Sequence, residues 1–446
     1  MKKLVQTLKN IWNIEELRSK IIVTLLLILT YRFGTHVVLP GIDPLALDAI
    51  KANNKSEGLL GLFDAFAGGA FSQASILALG IMPYISASIF MQLMTILVPQ
   101  LQKVQKEGDS GRKKINQWTR YLTVIVTAFQ ASAYIAYLNS PEYAPALIAA
   151  FKPFFAFSTI IILTAGTLFV TWLGERIQDK GLGNGTSIII MVGILARLPE
   201  SIVQEWTTKG EKGGGGLLIF LIEIAILIAI IMGLIILVQG VRKIPVNYAK
   251  QIIGNKQFGG ARQFLPVKVN SAGVMPIIFA QAIMFIPAAV SGFSGGTGGV
   301  FADRYGFWYN FIFASLIIAF TYFYTAIMIN PNQLADDMKR NGGFVPGVKP
   351  GKSTAEFIDQ VMSRITLPGS IFLAFVAILP SIAIKLGINS AFADFFGGTS
   401  LLILVGVVLD TLQQIETYLL NRHYDGLMKN GRIKGRSNNQ MTMQQA

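Results

Sequence analysis

The chain has 446 residues, of which 52% are hydrophobic and only 14% are charged, and its mean hydropathy is +0.53. This composition excludes an ordinary soluble globular protein and is typical of a chain that crosses a membrane several times. There is no cysteine and there are only two histidines, His36 and His423. We therefore expect no disulfide, no metal centre, no cofactor and no catalysis by a thiolate or a histidine.

Apolar runs long enough to cross a bilayer recur along the chain. In order they are residues 21–38, 65–102, 121–141, 153–174, 183–198, 217–238, 269–302, 305–335, 365–384 and 401–420. Four are weaker, because the first contains Arg32, the fifth is short, the sixth contains Glu223 and the tenth contains Asp410 and Glu416. Ten spans place both termini on the same side of the membrane.

The distribution of Lys and Arg tests this count. With residues 1–20 inside, 29 of these residues fall in inside segments, 8 fall in outside loops and Arg32 lies within a span. Inside loops of membrane proteins carry an excess of Lys and Arg, so the split predicts ten spans with cytoplasmic termini. Residues 421–446 form a basic cytoplasmic tail that is rich in Gly, Asn and Gln, and we expect no core of its own there.

A six-residue pattern occurs in both spans two and seven. Residues 80–85 read Gly-Ile-Met-Pro-Tyr-Ile, and residues 273–278 read Gly-Val-Met-Pro-Ile-Ile. An offset of five spans reverses the direction of the second copy, which predicts two inverted halves at residues 21–198 and 217–420, joined by an external loop at 199–216. Gly and Pro at matching places predict kinks that weaken both spans. The alternative is a chance match, because both residues are common in membrane helices.

The segment 59–72 precedes span two and is too short to cross the membrane. It is rich in small residues and contains Asp64, so a helix there would be marginal on its own. Two interpretations remain open from its composition: a re-entrant or movable element, and an interfacial loop.

Glu223 and Asp410 are the clearest ionisable groups inside the spans, and we expect them to have structural pairings or to reach the membrane surface. An ion-coupled secondary transporter with inverted repeats, which would use one of these carboxylates, is the alternative function. A lipid-modifying enzyme is a second alternative, and Asp336 and Asp337 are the adjacent acidic pair that it would use on a predicted inside loop. A pore needs neither, because a ring of branched apolar side chains excludes ions by dewetting. Ile81, Ile85 and Ile278 are candidates for such a ring.

Five motifs carry a resemblance to a known family. They are Pro-Gly-Ile-Asp at 40–43, Leu-Gly-Ile-Met-Pro-Tyr-Ile at 79–85, Gly-Glu-Arg-Ile-Gln-Asp-Lys-Gly-Leu-Gly-Asn-Gly at 174–185, Val-Asn-Ser-Ala-Gly-Val-Met-Pro at 269–276, and Phe-Val-Pro-Gly-Val-Lys-Pro-Gly at 344–351. With these motifs the chain resembles the SecY (Sec61α) family, the channel subunit of the bacterial protein translocase. The resemblance implies an all-α polytopic membrane protein of the plasma membrane, with ten transmembrane helices as two inverted five-helix halves around a central hourglass pore.

The resemblance also implies three groups of site residues. A pore ring maps onto Ile81, Ile85, Ile190, Ile278 and Ile403. A plug maps onto segment 59–72, with Leu62, Phe63, Asp64, Phe66, Gly68 and Gly69 as its candidate residues. A lateral gate between spans two and seven, through which membrane helices reach lipid, maps onto Pro83, Ser86, Pro276 and Ile286.

Two large basic loops, at residues 239–268 and 331–364, resemble the docking surfaces of the family. Their candidate contact residues are Arg242, Lys243, Lys250, Lys339, Arg340 and Lys349. The implied partners are the SecA motor ATPase, the ribosome through its RNA, the membrane subunits SecE and SecG, membrane lipids, and an unfolded preprotein as substrate. The family usually has Arg where Lys349 stands, and Lys lacks the bidentate guanidinium fork. The resemblance implies a passive channel and no enzyme activity.

Overall fold

The computed structural model describes residues 12, 14–53, 64, 67–139, 143–148, 152–210, 216–248, 251–253, 256–258, 262–281, 283–284 and 305–429. The helices of the first half are α1 (Glu15–Thr35), α2 (Pro44–Asn53), α3 (Met82–Leu97), α4 (Pro99–Lys106), α5 (Asp109–Leu138), α6 (Lys152–Lys180) and α7 (Gly185–Gly210). Those of the second half are α8 (Gly216–Gln239), α9 (Phe307–Met328), α10 (Pro331–Arg340), α11 (Lys352–Lys385), α12 (Ser390–Ala393) and α13 (Gly398–Lys429). Residues 275–281 are also helical.

Seven helices among the described residues are long and apolar enough to cross a membrane, and they coincide with predicted spans three to six and eight to ten. An eighth candidate is the pair α3 and α4, which is bent by 102° at Val98. Helix α1 covers the first predicted span, and residues 275–281 begin the seventh, most of whose remainder lies outside the described residues. The chain is therefore a mostly helical, multi-pass membrane protein.

Lipid-facing side chains explain why these helices look apolar all round. Helix α8 is almost entirely aliphatic, and Leu217, Ile222 and Ile236 are among its many exposed side chains. Such a surface is unfavourable in water and is favourable in the hydrocarbon core of a bilayer.

Helix α7 continues to Gly210 through Pro199, so most of the segment predicted as the external loop is the last part of this helix.

The two basic loops meet in a small β-sheet that the sequence pattern did not predict. Strand β1 (Val241–Tyr248) pairs antiparallel with β4 (Arg262–Lys268) along one edge and with β5 (Gly343–Phe344) along the other. Strands β2 (Gln251–Ile253) and β3 (Lys256–Phe258) form a separate hairpin. Ile244 and Val246 of β1 share a core with Met338 and Ile358, so β1, β4 and β5 fold together with α10 and the first part of α11 as one sheet unit.

Pro380 creates a tight contact inside the second half. Because proline has no N–H, α11 lacks the helical hydrogen bond from residue 380 to the carbonyl of Val376. Gly397, in the turn before α13, lies against that carbonyl: a Cβ atom built on Gly397 would be 2.3 Å from the Val376 oxygen and 2.9 Å from the Leu379 Cβ. Both obstacles are backbone or backbone-proximal, so they cannot move aside cheaply.

We expect Gly397→Ala to lower the free energy of unfolding by about 1–3 kcal/mol, because the added methyl group forces α11 and α13 apart. The thermal unfolding midpoint of the purified protein in detergent measures this loss. Gly233→Ala is the matched control, since its Cβ would meet Phe372 at an ordinary 3.5 Å. Equal midpoints for the two variants would refute the contact.

Candidate functional site

The repeated Gly-x-Met-Pro pattern adopts the same local structure in both halves. Gly80 has φ +54° and Gly273 has φ +62°, and a helix begins two residues later in each copy, at Met82 and at residue 275. A positive φ cannot continue a right-handed helix, and proline fits the first helical turn because no N–H is needed there. The prediction of kinked helices was therefore wrong in detail: the pattern starts a helix. The bend in the span-two pair lies at Val98 instead.

Four of the five predicted ring residues are buried in one apolar cluster. Ile81, Ile85, Ile190 and Ile403 are between 3% and 8% exposed, and Ile278 packs against the same cluster. Residues 81 and 85 lie at the start of α3, 190 lies in α7, 278 in the helix 275–281 and 403 in α13. The structure thus brings together branched side chains from both halves of the chain.

Asp64, the first described residue of the predicted plug, is only 2% exposed. One carboxylate oxygen lies 3.2 Å from Arg197 Nη1 of α7, and the other accepts the backbone N–H of Ser72 at 2.8 Å. Gly69 donates its N–H to the carbonyl of Asp64. Leu62, Phe63 and Phe66 lie outside the described residues.

Polar side chains of α1 and α5 also bind the backbone of this segment. Arg32 Nη1 donates to the carbonyl of Gly68 at 3.1 Å, and Tyr134 Oη donates to the carbonyl of Phe71 at 2.7 Å. Arg32, Arg197 and Tyr134 are not among the site residues predicted from the sequence. For Arg32 a signal was available, because an arginine within a span requires a partner.

The predicted gate residues lie at the starts of the two repeat helices. Pro83 and Pro276 are buried and Ser86 bonds to the carbonyl of Met82 within its own helix, while Ile286 lies outside the described residues. Ile85 and Ile89 of α3 share the ring cluster with Phe279. Among the described residues, we find no hydrogen bond or ion pair between α3 and residues 270–284, so their association is apolar.

Polar contacts instead join the halves beside α7. At one end, the N–H of Gly183 donates to Gln414 Oε1 of α13 at 2.9 Å. At the other end, Lys209 forms an ion pair with Glu223 of α8 at 3.0 Å. The expectation of a structural pairing is confirmed for Glu223. Asp410 is exposed and takes part in none of the ion pairs between described residues.

The candidate docking residues are exposed on the sheet unit. Arg242 and Lys243 lie on β1, Lys339 and Arg340 form the last turn of α10, and Lys349 lies in the turn before α11. Lys250 lies outside the described residues.

Within the described part of the chain, no group of three or more acidic or histidine side chains is placed to hold a metal ion. Asp336 and Asp337 are exposed on α10.

Comparison with known proteins identifies close relatives. The family model for SecY matches residues 75–412. Protein translocase subunit SecY of Streptomyces scabiei is 42% identical over 432 residues, covering 93% of this chain and 97% of the relative. The same subunit of Aquifex aeolicus is 41% identical over 430 residues, covering 95% and 99%. That of Thermotoga maritima is 39% identical over 442 residues, covering 97% and 99%.

Solved structures share the fold at lower identity. A protein-conducting channel superimposes with a TM-score of 0.63 at 16% identity, covering 90% of this chain and 92% of that one. Sec61 in the canine ribosome–channel complex from the endoplasmic reticulum gives a TM-score of 0.57 at 16% identity, with the same coverage. Because the family model spans most of the sequence and relatives of 39–42% identity match almost end to end, the chain belongs to the SecY family.

Proposed function

We propose that this chain is the protein-conducting channel of a bacterial Sec translocase. It passes unfolded secretory polypeptides across the plasma membrane and releases membrane helices sideways into lipid. The observation that carries the proposal is the apolar cluster in which isoleucines of both halves meet. The names of the relatives, protein translocase subunit SecY, support it.

The ring works as a seal that yields to a polypeptide. Branched apolar side chains leave a narrow passage that water and ions do not enter, because no group there replaces their hydration. Isoleucine has no hydrogen-bonding group, so the ring does not select among the side chains that pass. Movement through such a ring requires energy from elsewhere, and we assign it to partners.

The plug adds a second seal next to the ring. Ala67, Ala70 and Phe71 pack in an apolar cluster, and the polar contacts of the plug are few: the Asp64–Arg197 ion pair, the Arg32 bond to Gly68 and the Tyr134 bond to Phe71. Contacts of this kind hold a segment in one position and are exchangeable with water when the segment leaves. Residues 59–72 therefore close the passage at rest and move out of it during translocation.

The lateral gate lies between α3 and the helix that begins at residue 275. Apolar contacts there separate without leaving polar groups unpaired in lipid, whereas separation beside α7 would break the bonds of Gly183 and Lys209. This asymmetry supports opening on the α3 side, with Pro83, Ser86, Pro276 and Ile286 at the gate.

Partners dock on the basic sheet unit that the two cytoplasmic loops form. Exposed Arg242, Lys243, Lys339, Arg340 and Lys349 fit the phosphates of ribosomal RNA and the acidic surface of a motor such as SecA. The solved relative in a ribosome–channel complex is consistent with this assignment. SecE and SecG are the proposed membrane subunits, and both termini are cytoplasmic.

Asparagine in the ring tests the channel directly. We expect Ile85→Asn and Ile278→Asn to raise the ion conductance of the resting channel in planar bilayers by at least tenfold, because the amide wets the constriction. Ile85→Leu, which keeps an apolar side chain of the same volume, should stay closed. Unchanged conductance in both asparagine variants, with normal unfolding midpoints, would rule out the ring.

Replacement of Arg197 tests whether its ion pair with Asp64 holds the plug in place. Arg197→Met leaves the buried Asp64 carboxylate without its cation, at a cost of about 1.5–3 kcal/mol. We expect a cysteine placed at Ala70, which is fully buried, to react with a thiol reagent about tenfold faster in this variant. Arg120→Met, which breaks the exposed pair with Glu175, is the control. Equal rates of the thiol reaction in the two variants would show that the Asp64–Arg197 ion pair does not hold the plug in place.

The absence of native cysteine permits a clean test of the gate. A flexible cross-link between cysteines at Ile89 and Phe279 should block translocation into proteoliposomes, because it ties α3 to the opposing helix. A cross-link between Ile202 and Ile384, which pack in one cluster beside α7, should leave translocation intact. Transport through the first cross-link, or its loss with the second, would place the opening elsewhere.

A further inference from the structure

Three ionisable side chains are buried together where α7 ends and α8 begins. Glu205 is 0% exposed, and Lys209 and Glu223 are each 5% exposed. The site lies away from the ring and the plug, and none of the roles proposed above uses Glu205. Charged groups are rarely buried to this degree unless their charges are balanced.

Lys209 is the centre of this cluster. Its Nζ lies 3.0 Å from Glu223 Oε1 and 3.4 Å from Glu205 Oε1, and it donates to the carbonyl of Gly387 at 3.0 Å. Glu205 Oε2 accepts the N–H of Asn389 at 2.9 Å. The cluster thus ties α7 of the first half to α8 and to the turn before α12 in the second.

The charges of the cluster do not balance. Two carboxylates face one ammonium group, which leaves a formal charge of −1 beside an apolar cluster of Ile202, Leu227, Ile388 and Phe392. Of the other charged residues described on the surrounding elements, Glu200 and Lys385 are exposed, Arg197 pairs with Asp64, and Asp394 has a contact of its own. None of these supplies the missing positive charge.

Two carboxylate oxygens in the cluster also lack a hydrogen bond among the described residues. They are Glu205 Oε1, which is near Lys209 but outside hydrogen-bond geometry, and Glu223 Oε2. A buried acceptor without a donor is costly and requires an explanation. A single proton removes both defects, since a protonated carboxyl donates to a neighbouring carboxylate and the total charge becomes zero.

We propose that Glu205 and Glu223 share one bound proton, so that this junction between the two halves is a proton-binding site. Loss of the proton leaves two carboxylates in an apolar enclosure with one ammonium group between them. Repulsion and burial of the excess charge then loosen the contact of α7 with α8 and the 387–389 turn. The inference does not depend on the translocation activity.

Proton binding has a defined effect on folding. An unfolded glutamate loses its proton near pH 4.3, so at neutral pH unfolding of the protein releases the shared proton. The folded state binds more protons, and its stability therefore falls as pH rises. At full effect, the folding equilibrium constant decreases about tenfold per pH unit.

Two measurements on the full-length protein in micelles test the proposal. Infrared spectroscopy at about pH 7 should show the carbonyl band of a protonated carboxyl, and the band should vanish in Glu223→Gln. Denaturant titrations between about pH 6 and pH 8 should give a steeper fall in stability for wild type than for Glu223→Gln. The histidine contributions cancel in this comparison, and Asp410→Asn, which changes an exposed carboxylate, should match wild type in both measurements.

Lys209→Met distinguishes the shared proton from ordinary pairing. We expect it to lower stability strongly, whereas Glu223→Gln, whose amide N–H replaces the acid O–H, should fold as well as wild type at neutral pH. Lys212 lies in the adjacent segment outside the described residues and is the rival source of positive charge. Absence of the protonated-carboxyl band in wild type, or loss of stability in Lys212→Met equal to that in Lys209→Met, would overturn the proposal.

Discussion

The contact between branched apolar side chains at the centre of the bundle is the constraint on which the rest of the structure depends. Ile81, Ile85, Ile190 and Ile403 are buried in one apolar cluster. Apolar contact is non-directional, so in the proposed channel it closes the passage without requiring one exact geometry and reforms after it has been broken. A seal made of hydrogen bonds would instead leave unpaired groups at every opening.

Polar contacts are accordingly found elsewhere in the bundle. They hold Gly68 and Asp64 of the proposed plug through Arg32 and Arg197, and they join the halves beside α7 through Gly183 and Lys209. In a membrane, polar groups that separate find no water to replace the lost partner. In the proposed channel the plug leaves into water, so its contacts can be exchanged, and only the polar contacts beside α7 mark an interface that stays together. The apolar interfaces mark the parts that are proposed to separate.

Much of this architecture was predictable from the sequence, because topology depends on two patterns that survive without tertiary information. Apolar runs predicted the spans, seven of which coincide with long apolar helices among the described residues. The repeat at residues 80–85 and 273–278 predicted two segments that contribute to the central apolar cluster. The local structure of the repeat was not predictable, since Gly-x-Met-Pro fits a kink and a helix start equally well until φ of Gly80 is known. The pairing of Glu205 with Lys209 is one helical turn apart and was overlooked, because that segment had been assigned to a loop.

The sheet was missed for a different reason. In strand β1 the alternation of buried and exposed side chains is limited to the stretch around Ile244 and Val246. Its partners β4 and β5 come from two separate loops, so no local stretch of sequence contains the pairing.

The joining of the two loops in one sheet has a mechanical consequence. Both loops emerge from the second half, so a force that a partner applies to either loop is transmitted to α8, α9 and α11 together. The first half has no equivalent attachment among its described residues, and an applied force therefore acts as a torque that turns one half relative to the other.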